Sequence, residues 1–214
     1  MRKLSIFDKL INEVDQALRT VHTLAPTTER PNPSQGLSIE IELSEEERKL
    51  SSRLMRINHA GEVSAQGLYR GQALTAKRED IREQMERSAM EENDHLNWCE
   101  TRLGELDGHK SYFGPVWYMG SFTIGAVAGL VGDKWSLGFV KETEDQVVRH
   151  LDEHINKISK NDEPSLAILK QMKIDEAHHA DIAVEAGAAK LPVPVRKFLM
   201  PLMSKIMTKT ASII

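Results

Sequence analysis

Apolar residues recur every three or four positions along most of the chain, which is the spacing of an amphipathic α-helix. The alternation that marks a β-strand is almost absent, and no Asn-Gly or Asp-Gly turn joins two apolar runs. The pattern therefore predicts an all-α protein. A short amphipathic helix should come first, then four long helices, the third of which is entered through the uncharged residues 111–132, and then a basic, Met-rich helix. The predicted helices span residues 7–24, 44–76, 79–103, 111–159, 162–187 and 195–214.

Local signals mark several ends of these helices. Ser44 and Glu47 have the spacing of a capping box, and Pro164 suits the first turn of a helix. Gly104 stands where a helix should end. Four long helices with short connections predict a four-helix bundle at residues 44–190, flanked by a helix and linker at 1–43 and an amphipathic helix at 191–214.

Four glutamates interrupt the apolar stripes of the four long helices, one on each helix. Ionised carboxylates in a core are costly unless they are paired or bind metal. A single such glutamate would more often be explained by a salt bridge, but the four together favour metal binding. They are Glu62, Glu92, Glu144 and Glu176.

Two of these glutamates begin a Glu-x-x-His string, ending at His95 and His179. Residues three apart share a helix face, so each pair can offer a carboxylate and an imidazole to one point. About one such string is expected by chance, so the strings alone are weak signals. One glutamate from each of two helices, with Glu-x-x-His from the other two, is the ligand pattern of di-iron proteins with a ferritin-like bundle. Hard carboxylate ligands favour iron, with manganese as the alternative. Six ligands shared by two metal ions leave coordination positions open for O2.

Composition and charge exclude several classes of protein. A balance of 40% hydrophobic and 28% charged residues predicts a folded domain, and a net charge of -4 argues against nucleic-acid binding. The single cysteine, Cys99, allows no internal disulfide and lies on an apolar stripe, where a core position is expected. The N-terminus lacks the apolar stretch of a secretory signal and carries Asp8 and Glu13, so we expect no cleaved leader.

Several motifs resemble the demethoxyubiquinone hydroxylase family, the di-iron monooxygenases of ubiquinone biosynthesis. The most specific one reads Arg-Ile-Asn-His-Ala-Gly-Glu at 56–62, followed by Gly-Leu-Tyr-Arg-Gly-Gln at 67–72. The others are the Glu92/His95 pair, Glu144, and Asp-Glu-Ala-His-His at 175–179. The resemblance covers roughly residues 44–187, and the N-terminal 40 residues and the tail beyond Pro192 lie outside the family core that it suggests.

The resemblance implies roles for the residues that match. The metal ligands would be Glu62, Glu92, His95, Glu144, Glu176 and His179, with Glu92 and Glu176 as the bridges between the two irons. His150 resembles a family histidine suggested to deliver electrons or protons, with a structural histidine as the alternative. Tyr69 would support the ligands from behind.

The implied reaction hydroxylates the ring of a membrane-resident polyprenyl methoxy-benzoquinone, with O2 as oxidant and NADH as reductant. The sequence contains no Gly-x-Gly-x-x-Gly fingerprint, so no Rossmann domain for NADH is expected. Other proteins of ubiquinone biosynthesis and a second copy of the chain are candidate partners. An iron-storage or peroxide-handling protein, similar to ferritin or rubrerythrin, is the alternative function, and a scaffold with Glu–Arg pairs is a third.

One uncharged segment and one basic segment suggest contact with a membrane. Residues 111–132 favour a surface that dips into the lipid, and a transmembrane helix is the alternative. The tail has Arg196, Lys197, Lys205 and Lys209 among apolar residues, as a membrane-surface helix would, and packing on the bundle or a dimer contact is its alternative. We expect peripheral attachment to the cytoplasmic side of a bacterial cell membrane.

Overall fold

The computed structural model describes residues 6–28, 30–37 and 42–213. In this part of the chain all regular structure is helical. A π-helical turn at Val195–Leu199 leads into the last α-helix. The α-helices are α1 (Ile6–His22), α2 (Glu45–Thr75), α3 (Glu79–Glu105), α4 (Gly114–Val131), α5 (Asp133–Lys157), α6 (Glu163–Glu185) and α7 (Met200–Ala211).

The predicted helix starts are confirmed at α2 and α6. The Ser44 hydroxyl accepts from the Glu47 backbone N–H at 3.3 Å, and the Glu47 carboxylate accepts from the Ser44 N–H at 2.9 Å. Asp162 caps α6 by accepting from the Ser165 N–H at 3.1 Å. Because each cap satisfies backbone donors that have no partner within the helix, these polar residues determine where the helices begin.

The prediction of one helix across residues 111–159 is wrong. The chain breaks at Gly132, whose φ of +142° is rarely accessible to residues with a Cβ. The next residue, Asp133, accepts from the backbone N–H groups of Lys77 and Arg78, both at 3.0 Å. These bonds tie the break to the turn between α2 and α3, so α4 and α5 run as separate helices.

The bundle consists of α2, α3, α5 and α6, with α2 packed on α3 and α5 packed on α6. Two apolar clusters fill it. One includes Leu54, Trp98 and Leu169, and the other includes Met85 and Val140. Along each bundle helix the predicted glutamate lies between the two clusters. This is a ferritin-like four-helix bundle, and the predicted fold class is confirmed.

Glycines bring α4 close to the outer face of α2. A Cβ at Gly67 would lie 2.3 Å from the Tyr118 carbonyl oxygen, and one at Gly71 would lie 2.1 Å from the Phe122 carbonyl oxygen. The approach is mutual, since a Cβ at Gly125 would lie 2.2 Å from the Leu68 carbonyl oxygen. Glycines four residues apart on both helices allow the two backbones to touch, as in the packing of membrane helices.

Both ends of the described chain pack on this assembly. Residues 25–37, the N-terminal linker, place Ala25 in a small cluster with Val63, Leu96 and Tyr118. At the other end, Arg56 donates to the backbone carbonyls of Ala211 and Ser212, at 2.8 and 3.1 Å. The last helix therefore packs on the bundle, as the alternative interpretation of the tail expected, while its outward side chains remain exposed.

Candidate metal centre

Four of the six predicted ligands form one compact group. Glu62, Glu92, His95 and Glu176 each offer a ligand atom, and these atoms lie within 4.8 Å of one another. All four side chains are buried. They come from α2, α3 and α6, at the level where the apolar clusters separate. A buried group of this size and chemistry can hold a metal ion.

Glu92 and Glu176 contact both histidines. Glu92 places one oxygen 3.0 Å from Nδ1 of His95 and the other 3.2 Å from Nδ1 of His179. Glu176 does the same at 3.1 and 3.5 Å. Each carboxylate thus lies between the two imidazoles, and the bridging role predicted for both glutamates stays a prediction.

The remaining predicted ligands, Glu144 and His179, lie on the other side of these two carboxylates. Glu144 is buried on α5 and accepts a hydrogen bond of 2.7 Å from the Tyr69 hydroxyl. The Tyr69 ring meets the His179 ring edge-on, with the centroids 6.2 Å apart. Tyr69 therefore lies behind a predicted ligand, where it can orient the carboxylate.

Three buried atoms of the group make no hydrogen bond of good geometry, although the imidazole nitrogen lies 3.2 and 3.5 Å from the two carboxylate oxygens. The three atoms are Oε1 of Glu92, Oε2 of Glu176 and Nδ1 of His179. Buried polar atoms without partners are rare because each costs free energy. All three belong to predicted ligands that converge on one space. Four carboxylates would also balance two divalent cations, so the donor set fits a dinuclear metal centre.

The ionisation of the group is strongly perturbed. Burial raises the pKa of Glu62 and Glu144, and nearby carboxylates add to both shifts. Burial alone would lower the pKa of His95, but the Glu92 charge and the hydrogen bonds of other carboxylates raise it well above its usual value. Positive charge is therefore favoured at this position in the core, whether as protons or as metal ions.

Two outer carboxylates, not predicted from the sequence, support the histidines crosswise. Nε2 of His95 on α3 lies 2.9 Å from Asp175 on α6. Nε2 of His179 on α6 lies 2.8 Å from Glu91 on α3. Such carboxylates fix the orientation of a metal-binding imidazole. The signal was present in the sequence, since each acid directly precedes the glutamate of a Glu-x-x-His string.

A cavity of about 320 Å³ adjoins the centre between α2, α4, α5 and α7. Its lining is mainly apolar and includes Trp117, Phe139 and Met203. Glu62 belongs both to the cavity wall and to the ligand group. A molecule in the cavity would therefore reach one side of the metal centre.

The cavity wall also carries histidines of α5. His150 lines it and is partly buried, and burial lowers the pKa of its imidazole. The proposed relay role of His150 stays a prediction. His154 lies one turn further on and was not predicted from the sequence. Its Nδ1 lies 2.9 Å from Oδ1 of Asn58. Burial lowers the pKa of His154 to about 4, so this imidazole is neutral near pH 7.

Comparison with known proteins agrees with the motifs. Residues 49–211 match the family model described as ubiquinone biosynthesis protein COQ7. The chain is 58% identical over 210 residues to a 3-demethoxyubiquinol 3-hydroxylase of Nitrosococcus oceani, covering 98% of this chain and 97% of the relative. Proteins of the same name from Chromohalobacter salexigens (98% of this chain, 97% of the relative) and Acinetobacter baumannii (99% of both) are 52% and 50% identical.

These matches extend at both ends beyond the residues that the resemblance covered, since the alignment with the Nitrosococcus oceani protein includes 98% of the chain and so most of the N-terminal 40 residues. The family match continues to residue 211, so it includes the tail beyond Pro192 that the resemblance had left outside. The relatives carry the names of hydroxylases, which confirms the prediction of an enzyme of this class. By its matched residues and by its identity to these relatives over nearly its full length, the chain belongs to the COQ7 family of ubiquinone biosynthesis proteins.

Proposed function

We propose that this protein hydroxylates the ring of a polyprenyl methoxy-methyl-benzoquinone in ubiquinone biosynthesis, using O2 and reducing equivalents from NADH. One observation carries the proposal: Glu62 belongs at once to the buried ligand group and to the wall of an apolar cavity. The names of the relatives supply the substrate class.

The proposed cofactor is a pair of iron ions held by Glu62, Glu92, His95, Glu144, Glu176 and His179. When bound, the iron pair would activate O2, which protein side chains cannot do by themselves. The protein's part is to orient the ligands and keep water away. Tyr69 holds Glu144 by its hydrogen bond, and the apolar clusters on both sides of the group exclude solvent.

Polar groups in the cavity can orient the quinone ring. Nδ2 of Asn58 is buried without a hydrogen-bond partner, one helical turn from Glu62. Since Oδ1 of Asn58 can only accept, Nδ1 of His154 carries the proton between them, which leaves Nε2 of His154 as an acceptor. The donor can bind a carbonyl oxygen of a quinone, and the acceptor can bind a hydroxyl of the quinol, while the apolar lining suits the prenyl chain.

We further propose peripheral attachment to the membrane through α4 and α7. Of the described helices, α4 alone is apolar and long enough to span a bilayer, yet it packs along α2. Its outward residues include Met119, Val127 and Leu130, and those of the tail include Phe198 and Leu202, all more than half exposed. Such a surface fits the acyl boundary of a bilayer. Co-sedimentation with liposomes tests this, and protein that stays in the supernatant would contradict it.

Quinone profiling tests the proposed reaction. In a bacterial strain that lacks its own enzyme for this step, the wild-type chain should restore ubiquinone. Glu176→Ala should leave the demethoxy-quinone precursor to accumulate, measured by mass spectrometry. Glu185→Ala, which removes an exposed glutamate from the same helix, is the control and should behave as wild type. Normal ubiquinone with Glu176→Ala at equal protein level would overturn the proposal.

A further inference from the structure

The N-terminal linker binds a charged residue of the core that is not among the predicted ligands. Asp94 is fully buried on α3, directly before His95. It accepts from the backbone N–H and the hydroxyl of Thr28, both at 2.7 Å, and from Nε of Arg30 at 2.8 Å. A buried carboxylate with three donors from one segment fixes that segment in place.

The linker reaches the metal centre through Arg30. Nη1 of Arg30 lies 2.8 Å from Oδ2 of Asp175, and the same oxygen lies 2.9 Å from Nε2 of His95. The guanidinium also stacks over Trp98, 5.2 Å from the ring centroid. Trp98 in turn lies beside the His95 ring, with centroids 5.3 Å apart. Two contacts from Arg30 thus converge on the orientation of one imidazole.

The other half of the centre is supported differently. Glu91, which holds His179, pairs with Arg87 at 2.8 Å, but both residues belong to α3 and lie one turn apart. The Arg87 side chain is 53% exposed, compared with 29% for Arg30. Exposed ion pairs of this kind contribute little to stability. Among the described residues, the arginine that pairs with the acid behind His95 comes from the N-terminal linker, whereas the arginine that pairs with Glu91 belongs to the same helix as Glu91.

We infer that Arg30 is a positioning residue, through which the N-terminal linker holds Asp175 and so keeps His95 oriented for the ion on the Glu62 side. The inference rests on the proposed two-ion centre. Removing the group that hydrogen-bonds a metal-binding histidine, here Asp175, typically weakens metal binding 10- to 100-fold, and a residue that acts through that group should have a smaller effect. Loss of Arg30 should therefore weaken the binding of one ion and spare the ion on the Glu144 and His179 side.

The experiment is an anaerobic titration of the full chain with Fe²⁺ against a competing chelator. We expect two ions per wild-type chain, and in Arg30→Gln one of them bound several-fold more weakly, short of the roughly 10- to 100-fold loss expected for Asp175→Asn. Arg87→Gln is the matched control, since Arg87 pairs with Glu91, the acid that holds His179. Both ions should bind to this variant as they bind to wild type. Arg30→Lys should bind the affected ion with intermediate affinity, because lysine keeps the charge but cannot hold Asp94 and Asp175 as a planar fork does.

A double-mutant cycle tests whether Arg30 acts through Asp175, and it provides a second variant should Arg30→Gln fail to fold. Asp175→Asn should weaken the same single ion, and Arg30→Gln on that background should add little, because residues of one network are not additive. Equal weakening of both ions, full additivity, or wild-type affinity in Arg30→Gln would each overturn the inference. A wild-type chain that binds fewer than two ions would instead contradict the proposed centre itself.

Discussion

The inner and outer faces of α2 carry different residues and have different roles. Its inner face presents Glu62 and Tyr69 to the bundle core, where polar groups replace apolar packing. Its outer face presents Gly67 and Gly71 to α4, where there is no side chain at all. The inner face gives up stability to create a ligand group, whereas the outer face gains close backbone contact that holds α4 as a wall of the cavity.

The inner face of α2 thus carries groups of the proposed metal centre, whereas the outer face positions the wall of the cavity that leads to it. Substitutions on the inner face should act on metal content, and substitutions on the outer face should act on stability and on the shape of the cavity.

The largest effect is expected on the inner face, at Glu92. Because this carboxylate contacts both histidines, Glu92→Ala should lose both ions, not one. Hydroxylation should fall by more than ~100-fold, beyond the typical loss from a residue behind a ligand. Elemental analysis of purified protein and a rate assay check this. Two irons per chain in Glu92→Ala would remove Glu92 from the ligand set.

The second prediction concerns pH and the protein without metal. The pKa values of Glu62 and Glu144 are raised by burial, and those of His95 and His179 are raised by carboxylates against the opposing effect of burial. Raised pKa values mean that the folded state keeps these protons to a higher pH than the unfolded state, so stability falls as pH rises above the ordinary values of 4.5 for glutamate and 6.5 for histidine. The two histidines extend this loss into the range from pH 7 to 9.

One extra proton corresponds to a loss of about 1.4 kcal/mol per pH unit, or about 3 kcal/mol from pH 7 to 9. The lowered pKa of His154, about 4, contributes nothing in this window, since this group is neutral above pH 7 in both states. Urea unfolding at pH 7, 8 and 9 measures the effect. With Fe²⁺ added anaerobically, the slope should flatten or reverse, because metal replaces the protons. A metal-free protein whose stability is constant or rises would show that the group holds no extra protons.

The third prediction concerns the outer face. Gly71→Ala places a methyl group against the backbone of α4 and should cost about 1–3 kcal/mol, because backbone atoms cannot move aside easily. Gly104→Ala on α3 is the control, because its Cβ meets nothing within 4 Å, and it should stabilise by about 0.5–1 kcal/mol. Unfolding free energies check both values, and iron content should stay unchanged. Equal effects at the two glycines would argue against close packing of α2 and α4.

The smallest effect is expected where the two faces meet, in the cavity. Asn58→Leu removes the unpartnered donor and the partner of His154, and one lost hydrogen bond should raise KM up to ~10-fold with metal content unchanged. Ser64→Ala is the control, since Ser64 lines the same cavity but its hydroxyl already donates to the Ala60 carbonyl. An unchanged KM in Asn58→Leu would place the quinone oxygens elsewhere.

The sequence by itself determined most of the helices and the helix faces on which the predicted ligands lie. The capping box at Ser44 is a local signal, and its two hydrogen bonds span only three residues. The positions of Glu92 and Glu176 among apolar residues place them in the core, because the helical period determines which residues share a face. The convergence of Glu62, Glu92, His95 and Glu176 follows from that pattern once the helices form a bundle.

Only the tertiary structure decided how distant residues support those ligands. The periodicity of α3 and α6 does not tell that Asp175 faces His95 and Glu91 faces His179, because this depends on how far the helices are shifted along each other. Nor does it tell which of several glycines breaks the helix at Gly132, or that Arg30 lies against Asp175, 145 residues away. Local spacing sets the face of a residue, whereas its partner on another element is set by packing, which depends on the whole chain at once.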